Sequence, residues 1–169
     1  MKHFKTLLLI AVFTLSISGV ANAQKFGHIE TDKLIANMPA TKTMQAELEK
    51  MQKTYKDDLT TLAKKYEDKL KKYGAEQKAQ TPETNAKRQA EVQQERQRLA
   101  QAEQFATQEM QKKYQEKLKP ILERAQKAIK EVAAEKGLAY IFDASAGKGL
   151  IVFDKGVDIY DAVKAKLGF

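Results

Sequence analysis

Between Thr41 and Glu135 the chain holds one glycine, Gly74, and two prolines, Pro82 and Pro120. A stretch so poor in helix breakers reads as long helix. Large apolar residues recur in its first part at Met44, Leu48, Met51, Tyr55, Leu59, Leu62, Tyr66, Leu70 and Tyr73. Those eight steps cover 29 residues, a period of about 3.6 that fits nearly straight or slightly right-handed pairing better than a seven-residue repeat. The apolar face is narrow and needs a partner. Gly74 ends the stripe, and Thr81-Pro82-Glu83 supplies an N-cap, a first-turn proline and an early carboxylate for a returning helix. A turn at 74–81 places residue i opposite about 155 − i, setting Met44 near Met110, Leu48 near Phe105 or Ala106, Tyr55 near Leu99 and Leu62 near Val92. Beyond Leu62 the partners run out, because Tyr66, Leu70 and Tyr73 then face Ala90, Ala86 and Asn85. Residues 77–111 contain 10 Gln and only Val92, Leu99, Phe105 and Met110 as large apolar groups. The distal half is therefore expected to be thinly packed and mobile.

The return helix resumes a strong stripe at Met110, Tyr114, Leu118, Ile121, Ala125, Ile129 and Val132, past the point where the 155 − i register leaves any of the first arm to face it. The remaining segments must cover it. Lys25 to Glu30 can form a strand, and Thr31-Asp32 can cap a short helix through Met38. Leu138 to Asp143 and Leu150 to Phe153 are two short apolar strands, and Asp158 caps a last helix closed by Gly168. Pro120 is expected to kink the return helix where it enters this body. The fold class is thus α+β and predominantly helical: a long antiparallel helical hairpin, 41–114, on a small β-rich body formed by 24–40 and 115–169. A body of 72 residues is a marginal core. Neither Tyr140-Ile141-Phe142 nor Leu150-Ile151-Val152-Phe153 alternates, so both faces of these strands want covering. Association between copies through the strands would cover them. Its candidate contact residues are Phe26, Ile29, Leu138, Tyr140, Ile141, Phe142, Leu150, Ile151, Val152 and Phe153.

Ahead of the body lies a segment of a different kind. Met1-Lys2-His3-Phe4-Lys5 is a basic start, Thr6 to Val20 is apolar, and Ala21-Asn22-Ala23 is a small-x-small cleavage signature before Gln24. Residues 1–23 read as a secretory signal peptide cut after Ala23, since the apolar run is shorter than a spanning helix requires. With no Cys, disulfides, thiolate metal sites and a cysteine nucleophile are excluded, and with His3 and His28 alone a histidine-built site is nearly so. His28 reads as a strand residue. Ala146-Gly147-Lys148-Gly149 lacks the spacing and the following hydroxyl residue of a phosphate loop, and reads as a turn.

The chain carries +8, residues 24–169 carry +6, and the hairpin, with 16 basic and 12 acidic residues, holds +4 of that. The basic residues are densest at Lys64, Lys65, Lys69, Lys71, Lys72 and Lys78, interleaved with Tyr66, Leu70 and Tyr73. These nine residues form the candidate binding surface: an electropositive tip that draws in acidic clients, anionic lipid or lipopolysaccharide, with half-covered rings that grip many sequences weakly. The competing reading is an ordinary solvated face with i,i+4 pairs such as Glu67 with Lys71 and Asp68 with Lys72. Nucleic acid is disfavoured, because acids alternate with the bases and no aromatic platform accompanies them. No nucleophile–base pair or metal cluster points to an enzyme, and no cofactor is implied.

The mature chain resembles the Skp/OmpH family of periplasmic chaperones, in Bacteroidetes-type members above all. The resemblance is carried by Lys25-Phe26-Gly27-His28-Ile29-Glu30 leading to Met38, the long charged hairpin, Gly137-Leu138-Ala139-Tyr140-Ile141-Phe142-Asp143-Ala144, Val157-Asp158-Ile159 and Lys164-Ala165-Lys166-Leu167-Gly168. It implies a homotrimer whose helical arms enclose a cavity for unfolded outer-membrane proteins. The expected function is an ATP-independent periplasmic holdase that keeps such proteins from aggregating. A structural coiled-coil spacer or adaptor of the cell envelope is the alternative, and it would call for a seam filled along its whole length.

Overall fold

The computed structural model describes residues 25–148 and 155–169. The segment read as a signal peptide and the strand expected at 150–153 lie outside the described residues. Strand β1 (Phe26–Ile29) leads into helix α1 (Thr31–Asn37) and then into the 38-residue helix α2 (Pro39–Glu76). A 3₁₀ turn (Gln77–Ala79) precedes the 54-residue α3 (Pro82–Glu135), followed by β2 (Tyr140–Asp143), β3 (Val157–Asp158) and α4 (Tyr160–Leu167). The sheet is parallel, with β1 in the centre between β2 and β3. The fold is the expected helical hairpin on a small α+β body.

The start of α3 is built as its residues predict. Thr81 Oγ1 accepts the Thr84 N–H at 3.2 Å, Pro82 occupies the first turn and Glu83 adds its carboxylate there. Gly74 does not end α2, which runs on to Glu76. A helical glycine costs only about 1 kcal/mol, too little to stop a helix of this length. The predicted register is displaced too, by more than the longer helix alone accounts for. Lys69 pairs with Glu95, Tyr73 with Glu91, Arg88 with Glu76 and Lys117 with Glu47, each placing residue i opposite 164 − i. Met44 therefore shares a cleft with Pro120 and Ile121, not Met110, and Leu62 with Ala102, not Val92. Leu48 joins Leu118 at the edge of the core, away from Phe105, while Tyr55 takes Phe105, Ala106 and Met110 in place of Leu99. The stripe from Met110 to Ile121 is thus faced by α2, and only its continuation at Ala125, Ala128 and Val132 needs the body.

The body provides that cover. Ile29, Leu34 and Met38 from β1 and α1 meet Ile121, Ala125, Ala128 and Val132 of α3 and Ile159, Val163 and Leu167 around α4 in one buried cluster. Thr41 and Met44 of α2 are also buried, so the core takes in the root of the arm. Gly27 lets β1 sit between its neighbours: a Cβ there would lie 2.9 Å from Ile141 Cδ1 and Leu138 Cδ1 and 3.0 Å from the Val157 carbonyl oxygen. Gly168, at φ +85, closes α4 in the left-handed conformation as expected.

The cap expected from Thr31-Asp32 is absent; Glu30 holds that position without a side-chain bond. The partners come from the far end of the chain. Asp143 accepts the Thr31 hydroxyl at 2.6 Å and the Thr31 N–H at 3.3 Å, while Ser145 Oγ accepts the Asp32 N–H at 3.0 Å. Ser145 also donates to Asp143 through its hydroxyl at 2.6 Å and its N–H at 3.0 Å. Lys148 stands 3.6 Å from Asp143 and 3.7 Å from Asp32, tying down the turn read at 146–149 as far as it is described. Burial alone would push the Asp143 carboxyl up, but the bonds from Ser145 and Thr31 outweigh it and hold the group well below the usual carboxylate range.

Candidate functional site

Along the arm, the two helices meet through small residues and leave large ones half outside. Between Met44 and Ala106 no residue of α2 or α3 is buried. Tyr55 is central: its ring meets Phe105 edge-on at 6.4 Å between centroids. On one side of the hairpin, Tyr55, Leu59, Ala106, Met110 and Tyr114 line a cleft of about 680 Å³. Another, of about 420 Å³, is bounded by Leu59, Leu62, Ala102 and Phe105. Phe105 is 58% exposed and Tyr114 42%. Neither was singled out as a binding residue from sequence. The available signal for Phe105 was its phase, since it falls off the row Leu99, Ala102, Ala106, Met110 that faces α2.

Towards the tip, polar contacts replace apolar ones. Lys69 donates to Glu95 at 2.9 Å and lies 4.0 Å from Glu91, which accepts the Tyr73 hydroxyl at 2.6 Å. Arg88 donates to Glu76 at 2.6 Å and places its guanidinium 4.6 Å from the centre of the Tyr73 ring. The bond to Glu95 raises the Lys69 pKa, the bond from Lys69 lowers that of Glu95, and the bond to Glu91 raises that of Tyr73. Leu70 and Tyr73 border a cleft with Asn85, Ala86, Arg88 and Val92, while Ala90 lies exposed outside it. Leu70 thus shares a cleft with Ala86 and Tyr73 with Asn85, as expected, whereas Ala90 is no part of it.

The nine tip residues divide into two sets. Tyr66, Lys69 and Tyr73 are half-buried on the side of α2 turned to α3, with Leu70 more exposed at its edge. Lys64, Lys65, Lys71, Lys72 and Lys78 are exposed. Among these five, Lys71 pairs with Glu67 at 2.6 Å, and the others make no ion pair among the described residues.

On the body, Phe26, Tyr140 and Phe142 form a cluster on one face of the sheet, with Phe26 centred 5.8 Å from Tyr140 and 6.1 Å from Phe142. They are 46%, 55% and 42% exposed. Ile29 points the other way and is taken up by the chain's own core, against which Leu138 and Ile141 also pack.

Exposed ion pairs stabilise weakly, so a distal arm held by them should open locally at low cost. Amides in 62–92 are expected to exchange with deuterium much faster than those in 121–132, and faster still at high salt. Uniform protection along both helices, measured by mass spectrometry, would contradict the thin-packing account.

The family described as outer membrane protein (OmpH-like) matches residues 25–167. No curated protein matches the chain. A crystal structure from Caulobacter crescentus, described as a candidate outer membrane chaperone (OmpH-like), superimposes with a TM-score of 0.76 at 16% identity, covering 85% of this chain and 83% of that one. At that identity the likeness speaks for the fold.

Proposed function

Because the chain belongs to the OmpH-like outer membrane protein family, we propose that it is a periplasmic holdase, delivered there by a cleaved 1–23 segment, that keeps unfolded outer-membrane proteins from aggregating. It works by binding alone, without ATP or a covalent step. The observation that carries this reading is the arm's surplus of uncovered apolar surface: Leu70, Phe105 and Tyr114 stand exposed along a hairpin in which no residue between Met44 and Ala106 is more than partly buried. A spacer gains nothing from such a surface, whereas a holdase uses it for many weak contacts whose combined effect far exceeds any one of them. The exposed lysines at the tip add long-range attraction for acidic clients or lipopolysaccharide.

The holding cavity is proposed to form between the arms of three copies joined through their bodies, with the aromatic face of the sheet at the contact. Three arms around one client raise the local concentration of sites without any single tight site. Release follows when a deeper well, such as the membrane, competes for the client.

Shortening the hairpin tests the division of labour. Joining Met51 to Lys113 by a short loop keeps Met44, Leu48, Leu118 and Ile121, and with them the root of the arm. The product should assemble like the full chain yet lose at least about tenfold of its ability to suppress light scattering by a urea-diluted outer-membrane barrel. Undiminished suppression would remove the arms from the function.

A further inference from the structure

Gln93, Gln97, Gln101, Gln104, Gln108, Gln111 and Gln115 recur along α3 at steps of 4, 4, 3, 4, 3 and 4. At that spacing they form one stripe, turned away from the seam residues Val92, Leu99, Ala106 and Met110, with Gln111 at its edge, where it also borders the cleft of Tyr55 and Met110. All seven are exposed, and none of their side-chain amides has a hydrogen-bond partner among the described residues. Charged residues make up 31% of the chain, yet none stands in this row. The outer side of α2 is of the usual mixed kind, with Lys64, Glu67, Asp68 and Lys71. The stripe is ~33 Å long, which matches about ten residues of extended chain.

A glutamine amide donates and accepts, as a peptide group does. A row of them meets a main chain running in either direction, whatever side chains it carries. Being neutral, it incurs none of the desolvation cost of a buried charge and repels no client by sign. We propose that the glutamine stripe of α3 is a docking surface for extended, unfolded polypeptide, held through its unpaired backbone N–H and C=O groups. Phe105 lies four residues after Gln101 and three before Gln108, so its exposed ring borders the stripe and adds an apolar contact. The inference rests on the holdase reading and specifies what the arm recognises. Charge at the tip governs capture, whereas the amides govern holding.

The test uses the full chain with Gln97, Gln101, Gln104 and Gln108 all changed to Ala, which favours helix and adds no charge. One probe is a fluorescently labelled, urea-denatured outer-membrane barrel. The other is an uncharged extended peptide, with and without N-methylation of its backbone. The variant should release the barrel about tenfold faster, equally at low salt and at about 0.5 M, with helix content and oligomeric state unchanged. N-methylation should weaken peptide binding severalfold for the native protein and hardly at all for the variant. If the native protein fails to hold the barrel, the holdase reading itself falls. If it holds the barrel and the variant releases it as slowly, or N-methylation weakens binding to both equally, the stripe proposal alone is overturned. A changed oligomeric state in the variant would overturn it too, by assigning the stripe to contact between copies.

Discussion

A variant carrying Phe26→Ser, Tyr140→Ser and Phe142→Ser is expected to sediment as a monomer at micromolar concentrations where the native chain, on the proposed assembly through the sheet face, sediments as an oligomer. The three rings stack on one another across β1 and β2, yet each keeps about half its surface in water within a single chain. Fully burying a large apolar side chain is worth about 1.5–3 kcal/mol, and half of that remains to be gained by each ring. Three rings on each copy bring the loss to several kcal/mol per contact, or about a thousandfold in the association constant. The side chains contribute little to their own protomer's core, so helix content should persist in the monomer. Phe105→Ser, which removes a still more exposed ring from the arm, should leave assembly untouched and weaken client holding. Sedimentation equilibrium reads both, and a triple variant that associates as the native chain does would take the sheet face out of the interface.

Asp143→Asn should destabilise the body by about 2–4 kcal/mol at neutral pH, because one carboxylate there accepts four hydrogen bonds from Thr31 and Ser145. An amide can accept through one oxygen only, and its NH₂ would face donors. The folded pKa is depressed from an ordinary value of 3.8. The group's contribution is therefore fully present above about pH 4 and is lost as the pH falls below that. The native protein should lose stability steeply as the medium is acidified past pH 4, and the variant less so, the two curves converging at the acid end. Urea midpoints across this range provide the measurement. Parallel curves would show that Asp143 is not the group whose protonation matters.

The apolar period of α2, the Thr81 cap and the Gly168 stop could all be read from residues close together in the chain, and the structure follows each. The register could not. Periodicity says which face of a helix is buried but not how far two helices slide along each other, and here letting Gly74 stop a helix that continues to Glu76 accounts for three of the nine positions of offset, a slide of α3 along α2 for the rest. The contacts that mark the true register, Lys69 with Glu95 and Arg88 with Glu76, are exposed ion pairs in a sequence where lysine and glutamate occur everywhere, so no pattern distinguishes them. The cap of α1 was hidden for another reason: Asp143 and Ser145 lie more than a hundred residues from the N–H groups they accept. Of the candidate site, the lysines and rings of the tip stood out by local density. Phe105 did not, because its importance lies in being out of phase with its neighbours.

The central position of β1 bears on the order in which the chain can assemble itself. Both of its partners lie at or beyond Tyr140, so the first strand to be made waits for nearly the whole chain before its hydrogen bonds can form. Bringing such distant ends together from an open coil would be slow. The hairpin intervenes: once Met44 is seated against Ile121, the gap to be closed shrinks from about 110 free residues to about 30, a saving of about 1 kcal/mol in closure entropy. Zipping the arm from its tip towards its root would thus deliver β1 and β2 to each other. Until then, the chain is itself an unfolded polypeptide with an unpaired strand, in the same condition as the clients proposed for it.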